Sequence, residues 1–104
     1  MRFIYIPLLF LSAASALAAP ASLQSDFASA CFEAFKNADP RSDEYTSHLI
    51  CDCAAPESKH QGASDSAIRR ETGKIRKDPK YRIQDPHVLD ALHYCAIETL
   101  HDRE

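Results

Sequence analysis

Hydrophobic residues recur every three or four positions along residues 22–40, which is the spacing of one face of an α-helix. The members of this stripe are Leu23, Phe27, Ala30, Cys31 and Ala34, with Phe35 beside it. Pro40 cannot continue the helical hydrogen-bond pattern. The pattern therefore predicts a first helix that ends at Pro40.

A second helix is predicted between two prolines. Either Asp39 or Ser42 can cap its N-terminus, since both side chains accept a hydrogen bond from a free backbone N–H. The residues expected to share its inner face, four positions apart, are Tyr45, Leu49 and Cys53. Pro56 is expected to end this helix.

The polar stretch 57–64 is a predicted linker, after which Ser64 or Ser66 can cap a third helix that ends at Asp78-Pro79. The residues expected to face inward are Ala67, Ile68, Thr72 and Ile75. Because no segment alternates polar and apolar residues for long, no strand is required.

A fourth helix is the most clearly marked, with Asp85 as its cap and Pro86 at the first helical position. Its broad apolar stripe comprises Val88, Leu89, Leu92, Cys95, Ala96 and Leu100. Together these patterns predict an all-α fold, a small bundle of about four helices braced by two disulfides.

The first residues have the organisation of a secretory signal peptide. Arg2 precedes an apolar run from Phe3 to Leu11, and small residues ending in Ala16-Leu17-Ala18 follow. We therefore expect residues 1–18 to be a signal peptide and residues 19–104 to form a single helical domain that is secreted, with cleavage after Ala19 as the alternative. The apolar run is shorter than the roughly 20 residues that span a bilayer, so no stable membrane insertion is expected.

The four cysteines, Cys31, Cys51, Cys53 and Cys95, are expected to form two disulfides in an oxidising compartment. Two helical positions that are two residues apart point about 200° apart, so Cys51 and Cys53 cannot pair with each other. If the first two helices form an antiparallel hairpin, Cys31 lies closer along the helix axis to Cys51 than to Cys53. This favours the pairing Cys31–Cys51 with Cys53–Cys95. The pairing Cys31–Cys53 with Cys51–Cys95 stays open.

Metal and redox roles of these cysteines are weaker hypotheses. His48, His60 and His93 lie near them in sequence, but structural zinc sites use cysteines two to four residues apart. The C-x-x-C spacing of disulfide exchangers is missing. We predict no metal site and no cofactor.

Positive charge is concentrated in residues 69–82. This segment has two acidic residues and seven basic ones, Arg69, Arg70, Lys74, Arg76, Lys77, Lys80 and Arg82. The rest of the chain beyond residue 18 has four basic and thirteen acidic residues. The seven basic residues are therefore the predicted binding surface, and the partner expected is a protein. The alternative for this segment is a solvated helix face followed by a polar loop. An acidic body would repel the phosphates of nucleic acid, so no nucleic-acid partner is expected.

Catalysis is not expected. The sequence lacks the common hydrolase and phosphate-loop motifs, and its histidines resemble solvated helix residues. A small hydrolase that uses His93 or His101 is the least favoured hypothesis, because it would need a carboxylate or hydroxyl beside the histidine in a cleft.

The stretch "SALAAPAS", the short mature chain and the few cysteines resemble small cysteine-containing secreted effector-type proteins of filamentous plant-associated fungi. The likeness is one of layout, so no functional residue is carried over from it. It implies a non-enzymatic virulence protein that binds a host protein. From the residues themselves we expect a monomer that binds through the basic residues and exposed apolar side chains such as Phe32.

An alternative resemblance lies in residues 74–95, "KIRKDPKYRIQDPHVLDALHYC", which are similar to the C-terminal part of helical periplasmic immunity proteins of bacteria. It implies a periplasmic inhibitor that binds a toxin enzyme.

Overall fold

The computed structural model describes residues 21–78 and 80–102. Within these residues it contains no strand and four helices, α1 (Ala21–Ala38), α2 (Glu44–His60), α3 (Asp65–Lys77) and α4 (Pro86–Asp102). The prediction of an all-α bundle of about four helices is confirmed. The predicted signal peptide, residues 1–18, lies outside the described part of the chain.

Helix α2 is the central element of the bundle. It packs against α1 and, most extensively, against α4, while α3 packs mainly against α1. The hydrophobic core between these helices consists of Leu23, Phe27, Cys31, Ile50, Cys51, Ala54, Ala55, Ala63, Ile68, Val88 and Cys95. None of the described helices is long and apolar enough to cross a membrane.

Two disulfides join α2 to its neighbours. Cys31 in α1 is bonded to Cys51, with 5.7 Å between their Cα atoms. Cys53 is bonded to Cys95 in α4, with 5.9 Å between their Cα atoms. The favoured pairing is confirmed and the alternative pairing is wrong. Because Cys51 and Cys53 point to different sides of α2, one helix can be bonded to both partners.

Pro56 does not end α2, contrary to the sequence-based expectation. The helix runs on to His60 with Pro56 inside it. A proline at this position removes one backbone hydrogen bond but lies on the exposed side of the helix. Ala55 and Ser58, on either side of it in sequence, are buried. Continued packing of this inner face outweighs the lost hydrogen bond.

The predicted inner face of α2 was also wrong. Tyr45 is 66% exposed and Leu49 is 39% exposed, whereas Cys53 is half-buried. The buried positions are instead Ser47, Ile50, Cys51, Ala54, Ala55 and Ser58. A helix that packs against α1 on one side and α4 on another buries the arc between them, and small residues fill that arc.

The helix caps are partly as predicted. Ser64 caps α3 by accepting a hydrogen bond from the Ala67 N–H, and Ser66 does not take this role. Asp85 caps α4 by accepting hydrogen bonds from the N–H groups of residues 87 and 88. The cap of α2 is Asp43, not Asp39 or Ser42.

The apolar stripe predicted for α4 is only partly buried. Val88 and Cys95 are fully enclosed, but Leu89 is 37% exposed and Leu100 is 55% exposed. Because α4 packs mainly against α2 alone, it buries a narrower stripe than a helix with two neighbours would.

Gly62 makes the turn between α2 and α3. Its φ of +111° is a conformation that favours glycine, because a Cβ atom is strained there. A Cβ at this position would lie 3.5 Å from the imidazole of His87. The end of α2 therefore lies beside the start of α4, and the two helices run antiparallel.

Candidate functional site: a basic surface and its anchored loop

The seven basic residues predicted from sequence form a continuous feature of α3 and the loop that follows it. Five of them lie on α3 and two, Lys80 and Arg82, lie on the loop of residues 78–85. All seven side chains are exposed. At 100° per residue, Arg70 and Lys77 lie opposite the buried face of α3. The other three cations of α3, Arg69, Lys74 and Arg76, lie on the flanks of that face. We call these seven residues the basic surface.

Three of the seven cations have partners within the protein. Arg76 lies 3.5 Å from the Asp26 carboxylate of α1, and Arg70 lies 3.8 Å from that of Asp85. The ammonium of Lys74 lies 5.6 Å from the centre of the Tyr81 ring. These contacts connect α3 to α1 and to the loop. The Arg76–Asp26 pair is exposed on both sides and contributes little to stability.

The remaining four cations make no ion pair or side-chain hydrogen bond with any of the described residues. They are Arg69, Lys77, Lys80 and Arg82. A cation that is exposed and has no internal partner can pair with a carboxylate of another molecule without first breaking a bond. These four residues are therefore the part of the basic surface best suited to binding.

Glu71 holds the loop in place from inside the protein. Its side chain is only 1% exposed, and its carboxylate accepts three hydrogen bonds. Oε2 accepts one from the hydroxyl of Tyr81 at 2.6 Å, and Oε1 accepts two from the backbone N–H groups of Gln84 and Asp85 at 3.1 and 2.8 Å. A buried carboxylate is stable only when its oxygens are satisfied in this way. The loop that carries Lys80 and Arg82 is thus fixed against α3.

The role of Glu71 was missed in the sequence analysis, which counted it only as one of two acidic residues within a basic segment. A signal was present, since Glu71 lies three residues after Ile68 and four before Ile75, both on the buried stripe. An acidic residue in that stripe indicates a buried hydrogen-bond acceptor.

The phenol of Tyr81 has a raised pKa. Burial raises the pKa of Tyr81 above its ordinary value of 10.0, and so do its hydrogen bond to Glu71 and the negative charge of that carboxylate. The backbone of Gln84 and the positive charge of Arg70 lower the pKa of Tyr81 by less. The neutral phenol is the form that the folded protein prefers.

A pH dependence follows from this raised pKa. A group whose pKa is higher in the folded state stabilises the protein below its unfolded pKa, here 10.0, and the contribution disappears as the pH rises through the folded value. We expect the free energy of unfolding to fall above about pH 10. Urea unfolding between about pH 8 and about pH 12 measures this.

Two variants separate the effect of Tyr81 on the free energy of unfolding from the effects of other groups that lose a proton at high pH. Tyr81→Phe should flatten the fall in stability above about pH 10, whereas Tyr94→Phe, at a side chain that is 47% exposed, should leave it unchanged. An equal slope in the wild type and in Tyr81→Phe would show that Tyr81 does not cause the dependence.

A groove lies between the end of α1 and the anchored loop. Its volume is about 370 Å³. Its walls are Ala34, Phe35 and Ala38 of α1, and Lys80, Tyr81 and Arg82 of the loop. The α1 wall is entirely apolar, and two of the four internally unpartnered cations lie on the other wall. We call this feature the Phe35 groove.

A second and wider groove, of about 520 Å³, lies between α1 and α2. There the rings of Phe32 and His48 stack with their centroids 3.8 Å apart and their planes 9° apart. Phe32 also packs partly against the hydrophobic core. The expectation that Phe32 is an exposed apolar contact was therefore wrong, because His48 and the core cover much of it.

The histidines and cysteines considered for chemistry are dispersed. His93 and His101 are both exposed on α4, and neither imidazole forms an ion pair or a side-chain hydrogen bond with the described residues. All four cysteines form disulfides, so no free thiol is present. The described residues include no group of three or more histidine, cysteine, aspartate or glutamate side chains positioned to hold a metal ion.

The fold and this site define a class, a small helical protein braced by two disulfides that presents a basic surface on one helix and an anchored loop. Comparison with known proteins finds no matching family model, no similar curated protein and no similar solved structure. The function is therefore argued from the site.

Proposed function

We propose that this is a secreted, non-enzymatic protein that acts by binding an acidic surface of a target protein, such as a host protein. The observation that supports this most is the set of four internally unpartnered cations held on α3 and on a loop that the buried Glu71 fixes. Because these side chains are already positioned, binding an acidic partner costs little ordering of the backbone.

The charge distribution adds selectivity to this binding. The basic segment is surrounded by a body with thirteen acidic and four basic residues beyond the signal region. An acidic partner is attracted to the basic surface and repelled elsewhere, which orients the encounter. Two disulfides are typical of proteins that work in an oxidising compartment, which fits secretion.

A second candidate is a periplasmic inhibitor that binds a toxin enzyme. The resemblance that suggests it covers residues 74–95, which include Lys77, Lys80 and Arg82 of the basic surface as well as most of α4. Both functions therefore depend on the same cations, and the identity of the partner separates them. A captured enzyme whose activity is blocked by this protein would favour the inhibitor.

The experiment is a pull-down with the oxidised protein followed by titration of the captured partner. A triple variant, Lys77→Glu with Lys80→Glu and Arg82→Glu, should weaken binding at least about tenfold, or about 1.4 kcal/mol. Binding by the wild type should also weaken as salt is raised from about 50 mM to about 500 mM, because exposed charges are screened.

A matched control separates local charge from net charge. The triple variant Lys36→Glu with Arg41→Glu and Arg103→Glu changes the net charge equally, includes no residue of the basic surface and keeps the ion pair between Lys59 and Asp65 of α3. It should bind almost as the wild type does. Equal losses in both triple variants, or affinity that is independent of salt, would contradict the proposed function.

A further inference from the structure

We propose that the Phe35 groove is the specificity site of the basic surface, and that it takes one aromatic or long aliphatic side chain from a partner segment rich in Asp and Glu. This inference rests on the proposed function, since it names the kind of segment that the basic surface binds.

The first argument is the make-up of the groove walls. The side from α1 offers Ala34, Phe35 and Ala38, which have no polar side-chain atoms. The loop adds the ring of Tyr81. The hydroxyl of Tyr81 already donates a hydrogen bond to Glu71, so it needs no hydrogen-bond acceptor from a partner. A surface of this kind is best covered by apolar atoms, because their burial removes both faces from water.

The second argument is the size of the groove. At about 370 Å³ it lies near the lower end of the range of roughly 300–1,000 Å³ for ligand pockets in proteins. It is also open along one side, between a helix and a loop. This favours one inserted side chain, with its backbone passing over the rim, and such buried anchors contribute much of the affinity of protein interfaces.

The third argument is charge complementarity at the rim. Lys80 and Arg82 flank Tyr81 in sequence, both are exposed, and neither has an ion-pair partner within the described residues. Residues next to the inserted side chain would therefore lie beside two cations. Carboxylates at those positions gain ion pairs, whereas a basic or neutral segment gains none.

The fourth argument is that both walls are rigid. Phe35 packs against the hydrophobic core, and α1 is bonded through Cys31 to Cys51. The opposite wall is fixed by the hydrogen bonds of Glu71 to Tyr81, Gln84 and Asp85. A groove held on both sides can discriminate between side chains, because it does not close when the anchor is missing.

The test uses three synthetic peptides of about twelve residues, titrated into the oxidised protein by NMR and calorimetry. The first is rich in Asp and Glu with one central phenylalanine, the second has alanine at the centre, and the third keeps phenylalanine but has Gln and Asn in place of the acids. We expect the first to bind at least about tenfold more tightly than either of the others.

Variants then assign the effect to the groove. Ala38→Gln adds an uncharged, helix-compatible side chain at an exposed groove position, so it should bring the affinity for the first peptide down to that for the second. Ser25→Gln, which places the same side chain at an exposed position of α1 that does not line the Phe35 groove, should change nothing. Lys80→Glu with Arg82→Glu should weaken binding of both acidic peptides.

The outcomes are distinguishable. Equal affinity for the two acidic peptides, with loss of both in the charge variant, would overturn the groove inference while leaving the proposed function in place. Failure of the first peptide to bind, or binding of the neutral peptide as tight as that of the first, would also overturn it. So would tighter binding of a single-stranded oligonucleotide. The proposed function itself is decided separately by the two triple variants and the captured partner.

Discussion

Replacing Glu71 with alanine is expected to lower the free energy of unfolding by about 3–5 kcal/mol, among the largest losses that a single substitution can cause in this protein. The substitution leaves the N–H groups of Gln84 and Asp85 and the hydroxyl of Tyr81 without their acceptor. An unsatisfied buried group costs about 1–3 kcal/mol, and these three donors are partly buried. Relief of the cost of burying a carboxylate keeps the total below the sum of these losses.

Glu71→Gln is the matched control for this prediction. Its side-chain carbonyl can still accept from the two backbone N–H groups, and its amide can donate to the oxygen of Tyr81. Only the charge assistance of the hydrogen bonds is lost, so a smaller decrease of about 1–2 kcal/mol is expected.

Urea unfolding of the oxidised variants measures both effects. Hydrogen exchange of the Gln84 and Asp85 amides should be much faster in Glu71→Ala, which would show that the loop has come away from α3. A loss below about 1 kcal/mol, with unchanged exchange at these amides, would contradict the role of Glu71 as the anchor of the loop.

Removal of the Cys53–Cys95 disulfide is expected to cost about 4 kcal/mol, and removal of Cys31–Cys51 about 3 kcal/mol. The difference arises because the first bond closes a loop with a sequence separation of 42 and the second closes one of 20. A longer closed loop restricts the unfolded chain more strongly. For a domain of this size, either loss is a large part of the total stability.

Two double variants, Cys53→Ala with Cys95→Ala and Cys31→Ala with Cys51→Ala, compared by urea unfolding, check this order. The pairing itself can be mapped under non-reducing conditions with a protease that cleaves before Asp52, which separates Cys51 from Cys53. A Cys53→Ala/Cys95→Ala protein within about 1 kcal/mol of the wild type would show that the bond contributes little.

The sequence predicted what depends on local chemistry. The caps Ser64 and Asp85 were found because a capping side chain acts within a few residues of itself. The angle between two positions on one helix excluded a bond between Cys51 and Cys53 independently of the rest of the fold. The choice between the two remaining pairings also needed the arrangement of the first two helices as an antiparallel hairpin. The seven basic residues were found as a cluster because they are close in sequence.

The features that were wrong or missed depend on contacts between elements. Tyr45 and Leu49 have the spacing of an inner face, but the positions of α1 and α4 decide which arc of α2 is buried. Pro56 was expected to end α2 because proline disfavours the interior of a helix. The burial of Ala55 and Ser58, which keeps the helix intact there, depends on neighbouring helices and cannot be seen locally. The role of Glu71 was missed because its three donors lie ten to fourteen residues further along the chain.

The attachment of α1 and α4 to neighbouring positions of α2 has a mechanical consequence. A force that pulls the two ends of the oxidised chain apart passes from Cys31 directly to Cys51, across Asp52, and from Cys53 directly to Cys95. The long stretches between bonded cysteines carry no tension, even after all helices have melted. An unfolding enzyme that threads the chain from one terminus would have to admit two closed rings joined at Asp52. The protein therefore resists such threading as long as both disulfides are intact.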